Sequence, residues 1–147
     1  MGFIVLAAFI FAVDLILKEA AEERGTEGVR IPILQGKLYV TKFHNKGAFR
    51  GLLKDKPELL MGISIGIIGV CSLIFLMTMG KKGKGAMKCA LAFLLGGAYS
   101  NTYDRMKRGY VVDYFGFQVK NKTLRNMVFN LSDFCIAIGA AMSVFQI

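Results

Sequence analysis

Asp133 lies inside the apolar run Val128 to Ile147, and nothing nearby in sequence neutralises it. A carboxylate at the middle of a membrane helix costs about 2.5–3.5 kcal/mol even on mild insertion scales, so it asks for a use. Upstream, Asp113 sits in a second apolar frame, Val111-Val-Asp-Tyr-Phe115. If the apolar runs on either side of residues 104–127 are antiparallel helices, Asp113 and Asp133 converge at one end of the pair. Two close carboxylates in a low dielectric cannot both ionise cheaply, so they share a proton. That is the chemistry of an aspartic protease: one carboxylate activates a water while the other, protonated, polarises the scissile carbonyl.

Other polar groups cluster with them. Asn101, Asp104 and Arg105 fall at i, i+3 and i+4, so they share a face at the end of an apolar run. Asn130 and Asp133 repeat the i, i+3 spacing in the last run. Asp14 and Lys18, at i, i+4, read as an internal pair that neutralises itself. Asp104 beside Arg105 reads as a structural ion pair. Gly96 and Gly97 allow close helix approach, and Gly62, Gly66 and Gly69 are expected to serve helix packing as well. Spacing alone leaves other roles open, because intramembrane Asn and Asp also act as hydrogen-bonding glue or line an ion path. His44 has no second His or Cys at ligand spacing, so no metal is expected.

The elements that must position these residues follow from composition. The chain has 147 residues, 54% of them hydrophobic, and a mean hydropathy of +0.50. These values, with apolar runs of near-bilayer length, point to a small multi-span membrane protein. Spans are expected at about 2–21, 59–79, 87–103 and 128–147, within one domain covering 1–147. The first run carries Asp14 and Lys18 and lacks a basic leader region, so it reads as a retained span rather than a signal peptide. Between the first two spans, Lys37-Leu-Tyr-Val-Thr-Lys-Phe-His44 is rich in β-branched and aromatic residues, as strands are. The expected fold is a mainly α four-helix membrane bundle with a small extramembrane β-sheet platform between helices 1 and 2. Cys71, Cys89 and Cys135 all fall in spans and read as small buried apolar residues.

The net charge is +9. In a soluble chain that would raise nucleic acid as a partner; here the cations fall between apolar runs, where lipid headgroups meet them, so no nucleic acid is expected. Their distribution bears on orientation. The turn Lys81–Lys88 holds four lysines, whereas residues 22–58 and 104–127 on the opposite side hold eight and six Lys or Arg. A plain positive-inside count puts the long segments in the cytoplasm.

Five segments in order then resemble one family. They are Asp14-x-x-x-Lys18, Asn45-Lys-Gly-Ala-Phe49, the run Gly96-Gly-Ala-Tyr-Ser-Asn-Thr-Tyr-Asp-Arg105, Gly109-Tyr-Val-Val-Asp113-Tyr, and Phe129-Asn-Leu-Ser-Asp133. The pattern resembles the lipoprotein signal peptidases, or signal peptidase II, which are bacterial intramembrane aspartic peptidases. The resemblance implies that Asp113 and Asp133 form the catalytic dyad and that Asp104 is not part of it. It makes Asn45, Asn101, Arg105 and Asn130 pocket residues that contact substrate or orient the acids, with Gly47, Asp104, Asp14 and Lys18 in support. The implied substrate is a prolipoprotein carrying diacylglycerol on its lipobox cysteine, cut just before that cysteine, with no metal or organic cofactor. Membrane lipids are the other expected partners, and a monomer is expected. The implied location is the bacterial cytoplasmic membrane, multi-pass, with both termini and the Lys81–Lys88 turn in the cytoplasm, opposite to the charge count.

The chain departs from the family pattern in places. One alanine rather than two precedes Phe49, Ser100 stands where glycine is common, and Ser132-Asp-Phe134 replaces the frequent Ala-Asp-Ser. These mark a divergent member. Two alternatives stand beside the peptidase: a small transporter or proton-conducting protein whose acids relay ions, and a non-catalytic paralogue that binds lipoproteins.

Overall fold

A computed structural model describes residues 1–48 and 52–145. The chain runs α1 (Gly2–Arg24), β1 (Ile31–Ile33), β2 (Leu38–Asn45), α2 (Pro57–Met79), α3 (Gly85–Arg108), β3 (Val111–Phe117), the short α4 (Lys122–Arg125), β4 (Val128–Phe129) and α5 (Leu131–Val144). It is mainly helical, with one antiparallel sheet in the order β1-β2-β3-β4.

Helix α3 is the hub, packed against α1, α2 and α5. Small residues set these approaches. A Cβ on Gly96 would lie 2.7 Å from the carbonyl oxygen of Ala7, and one on Gly97 would lie 2.6 Å from that of Ser132. On α5, a Cβ on Gly139 would lie 2.5 Å from the carbonyl oxygen of Ala90. The pairings fix direction: Ile10 and Lys18 of α1 meet Gly96 and Asn101 of α3, so α1 and α3 are parallel. Ser132 and Gly139 of α5 meet Gly97 and Ala90, so α5 is antiparallel to both. The short turn after Met79 makes α2 antiparallel too, and Ile68 and Phe75 pack with Leu91, Ala92 and Leu95 of α3. The N-termini of α1 and α3 therefore share one end of the bundle with the C-terminus of α5. The sheet and the N-terminus of α5 occupy the other.

Helix α2 shows what surrounds the bundle. Its 23 residues rise about 34 Å, enough for a hydrocarbon core of about 30 Å. Its apolar window has a hydropathy of 2.6, yet only 17% of it is buried within the protein. A soluble core helix would be covered, whereas Ile65, Leu73, Leu76 and Met77 point outward. Gly62, Gly66 and Gly69 have nothing within 4 Å of an added Cβ, so the expectation that they pack helices together within the chain is not met; Gly96, Gly97 and Gly139 do that work.

Several boundaries differ from the sequence reading. The third helix continues to Arg108, because Asp104 and Arg108 find partners beyond the apolar run. Gly109 then ends it in the left-handed conformation (φ +79), donating its N–H to the carbonyl of Arg105 and turning the chain into β3. In the last run Val128 and Phe129 pair with Gly116 and Phe115 as strand, and the helix begins only at Leu131. The sheet is not confined to the segment between helices 1 and 2 either: β3, one of its two inner strands, comes from the connection between α3 and α5.

Candidate active site

Strand β3 carries Asp113. The antiparallel pairing of β2 and β3 matches Phe43 with Asp113 and Asn45 with Val111, so Asn45 and Asp113 are diagonal neighbours on one face. Asn45 Nδ2 donates to Asp113 Oδ2 at 3.0 Å. Its own Oδ1 accepts from the N–H of Gly47 at 3.1 Å, which leaves the amide only one way to face. The backbone of Gly47 is itself held, since Arg105 Nη2 donates to its carbonyl at 3.0 Å. Phe49 of the same motif lies outside the described residues.

Asp133 is placed by local sequence. Asn130-Leu-Ser-Asp133 forms a reciprocal capping box at the start of α5: Asn130 Oδ1 accepts from the N–H of Asp133, and Asp133 Oδ2 accepts from the N–H of Asn130, both at 3.0 Å. With its oxygen committed to the cap, Asn130 turns its Nδ2 to Asp113 Oδ1 at 2.7 Å. Asn101 Nδ2 completes the set by donating to Asp133 Oδ1 at 3.1 Å. Each of the four carboxylate oxygens thus accepts from one fixed N–H.

Behind this site lies a second polar layer with no solvent exposure. Lys18 Nζ pairs with Asp14 Oδ2 at 2.8 Å and with Asp104 Oδ2 at 3.4 Å, all three side chains being 0% exposed. The expected Asp14–Lys18 pair is present. Asp104 is a structural ion-pair group, as expected, but its cations are Lys18 and Arg108 (3.2 Å) rather than the adjacent Arg105. It also accepts from the N–H of Val112 at 3.1 Å, pinning the start of β3 to α3. Lys18 then reaches forward, donating to Asn101 Oδ1 at 2.8 Å, so the Asn101 amide must present its NH2 to Asp133.

Asp113 and Asp133 line one cavity of about 850 Å³ with Asn45, Gly47, Asn101 and Arg105. The other wall is apolar and aromatic, including Phe43, Phe117, Met127, Phe129, Phe134 and Ile136. Phe134 stacks on Phe115 (centroids 5.2 Å apart, planes at 20°) and meets Phe129 edge-on. Burial, and after it the Asp133 charge, raise the Asp113 carboxyl to about 7. A carboxyl with that value can hold a proton near neutrality.

A family model described as signal peptidase (SPase) II matches residues 6–147. The chain belongs to the signal peptidase II family. It is accordingly an aspartic signal peptidase and a membrane enzyme, and membership favours that reading over the transporter and paralogue alternatives. The chain is 29% identical over 149 residues to a lipoprotein signal peptidase of Moorella thermoacetica, covering 100% of this chain and 93% of that one. It is 28% identical over 143 residues to a lipoprotein signal peptidase of Halothermothrix orenii, covering 97% and 92%. Among solved structures it is similar to a bacterial membrane enzyme determined by the in meso method at 2.3 Å resolution, with a TM-score of 0.82 and 23% identity over 99% of this chain and 86% of that one. A second such structure, at 1.9 Å, gives a TM-score of 0.79 with 23% identity over 99% and 91%.

The sequence-predicted residues fall into two connected layers. Asp113, Asp133, Asn45, Asn101 and Asn130 form the inner one, with Gly47 and Arg105 at the cavity wall. Asp14, Lys18 and Asp104 form the outer one. Sequence reasoning missed Tyr114, Ser100 and Ser132, whose hydroxyls all reach Asp14. Ser100 and Ser132 stood out only as departures from the family pattern.

Proposed function

We propose that the protein cleaves diacylglyceryl-modified prolipoproteins just before the lipidated cysteine, using Asp113 and Asp133 as its catalytic dyad. The observation that carries this reading is the pair itself: two acids from separate elements face one cavity, every oxygen held by a fixed donor. In the reaction Asp113 holds the proton, hydrogen-bonds the scissile carbonyl and passes the proton to that oxygen as water attacks. Asp133 takes a proton from the attacking water, and the tetrahedral diol forms. Collapse returns the Asp133 proton to the departing cysteine nitrogen, and the Asp113 proton is recovered as the new carboxyl end leaves. Arg105, held on the Gly47 carbonyl, places a cation at the cavity wall beside the two acids.

The apolar wall suits the rest of the substrate. Acyl chains and a signal helix are confined to the bilayer, so the reacting bond reaches the dyad by lateral diffusion with its orientation already restricted. Lipid modification adds about 0.8 kcal/mol of favourable burial per methylene, which the aromatic side of the cavity is built to accept. The protein forms a single domain of four spans, α1, α2, α3 and the segment containing α5, and works as a monomer. Both termini and the Lys81–Lys88 turn face the cytoplasm and the site lies toward the outer leaflet of the cytoplasmic membrane. The shared bundle end of the α1 and α5 termini supports placing both on one side of the membrane, and the family resemblance supports that side being the cytoplasm.

The test is complementation. Expressed in a bacterial strain lacking its own lipoprotein signal peptidase, the chain should convert the accumulated prolipoprotein band to the mature one, and globomycin, the inhibitor of such enzymes, should block the shift. Persistent precursor despite normal expression would contradict the reading.

A further inference from the structure

Tyr114 follows Asp113 on β3, and side chains alternate along a strand. While Asp113 faces the cavity, the Tyr114 side chain turns away and is only 8% exposed. Its hydroxyl donates to Asp14 Oδ1 at 3.0 Å and accepts from the backbone N–H of Leu131 at 2.8 Å. Leu131 is the first residue of α5, two before Asp133. That N–H is one of the four orphan donors of a helix N-terminus, and here no backbone carbonyl takes it but a phenol from the neighbouring strand.

We infer that Tyr114 is a positioning residue for the dyad: its hydroxyl bolts the first turn of α5, and with it Asp133, to the strand residue next to Asp113 and to the buried carboxylate of Asp14. The inference rests on the dyad reading above. One end of the bolt is rigid because Asp14 is saturated with donors. Its Oδ2 accepts from Ser100 at 2.6 Å and from Ser132, and pairs with Lys18 at 2.8 Å. The three hydroxyls come from α3, α5 and β3, so Asp14 ties together the elements that carry Asn101, Asp133 and Asp113. Burial, then the Asp14 charge, push the Tyr114 phenol far above its ordinary value, so it remains a donor to Asp14 over the whole working range of pH. Ser100 and Ser132, two of the departures from the family pattern, thereby acquire a use.

Tyr114→Phe removes one oxygen and keeps the ring. It leaves the charged groups facing the dyad in place: Asp14 and Lys18 on α1, Asp104 and Arg105 on α3. Tyr114 is not part of the cavity wall, so the substrate KM should stay within about twofold. Loosening the first turn of α5 lets Asp133 drift from Asp113, and two consequences follow: kcat falls by roughly tenfold, and the alkaline limb of its pH profile moves to lower pH, because less repulsion holds the Asp113 proton. The experiment measures kcat, KM and the pH profile on purified wild type, Tyr114→Phe, Ser100→Gly and Asp113→Asn in proteoliposomes. Ser100→Gly removes a donor from Asp14 without touching α5, and should lower stability while leaving the alkaline limb where it is. A Tyr114→Phe enzyme with wild-type kcat and an unmoved limb would overturn the inference, as would an equal limb shift in Ser100→Gly. If Asp113→Asn still cleaves, the dyad reading itself fails; if it is dead while Tyr114→Phe is normal, only the positioning role does.

Discussion

Asn130 holds both acids at once: its side-chain oxygen accepts from the backbone N–H of Asp133 at 3.0 Å while its amide nitrogen donates to Asp113 at 2.7 Å. The residue that caps α5 is therefore also the bridge between the two acids, and the two roles separate by substitution. Serine caps helices about as well as asparagine but cannot reach Asp113. Asn130→Ser should unfold within a few degrees of wild type yet cleave about 10²-fold more slowly, the usual cost of one lost active-site donor. Thermal unfolding in detergent beside a cleavage assay checks this; a proportional fall in both would make Asn130 a cap and nothing more.

Asp113 should make the protein sensitive to alkali. Its carboxyl is raised from an ordinary 3.8 to about 7, first by burial and then by Asp133. A folded-state value above the unfolded one means that the folded protein binds the proton more tightly. Its contribution to stability is complete below about pH 4 and is lost as the pH rises through 7, by about 4 kcal/mol at most. Cleavage should decline above about pH 7 for the same reason, since both acids are then ionised. In Asp113→Asn the difference in unfolding temperature between pH 5 and pH 8 should shrink, and an unchanged difference would show that another group sets it.

Lys18 neutralises the outer layer. Lys18→Met leaves Asp14 and Asp104 at 0% exposure without their shared cation, a loss of about 3–5 kcal/mol for a broken buried pair. The variant should accumulate poorly, and adding Asp14→Asn should restore much of the folded yield because the orphaned charge goes with it. Quantifying folded protein by gel filtration after extraction decides the matter; failure of the second substitution to help would mean that packing of the lysine, not its charge, is what α1 needs.

Glycines on α3 and α2 should behave oppositely. A Cβ on Gly97 meets the Ser132 carbonyl oxygen at 2.6 Å, whereas one on Gly62 meets nothing within 4 Å. Gly97→Ala forces α3 from α5 and should cost about 1–3 kcal/mol, with lost cleavage because Asp133 rides on that contact. Gly62→Ala should be neutral or slightly stabilising by helix propensity. Paired melting curves test the contrast, and equal effects would contradict the packing described.

The meeting of Asp113 and Asp133 was legible in sequence because both acids sit in apolar frames where a charge is expensive, and the Asp14–Lys18 pair because i, i+4 spacing is a local rule. The capping box was visible as an Asn–Asp spacing, though not as the feature that shortens the helix to begin at Leu131. What stayed hidden depends on distant partners. Val111–Phe117 is an apolar run whose strand character comes from pairing with β2, and its first four residues are all buried, so no alternation marks it. Asp104 chose Lys18, far away in sequence, over the adjacent Arg105. The Tyr114, Ser100 and Ser132 hydroxyls meet Asp14 only once α1, α3, β3 and α5 are assembled. Gly62, Gly66 and Gly69 carried the right residue type for packing on a helix face that turns outward.

Asp113 and Asp133 together should cut a lipid-modified precursor. The cleavage rate of a diacylglyceryl-modified precursor peptide by purified wild type, Asp113→Asn and Asp133→Asn in proteoliposomes, with folding confirmed for each, decides this. Each substitution should lower the rate by about 10³-fold or more, since neither acid can do the other's part. A folded variant of either kind that keeps a tenth of the wild-type rate would contradict the account.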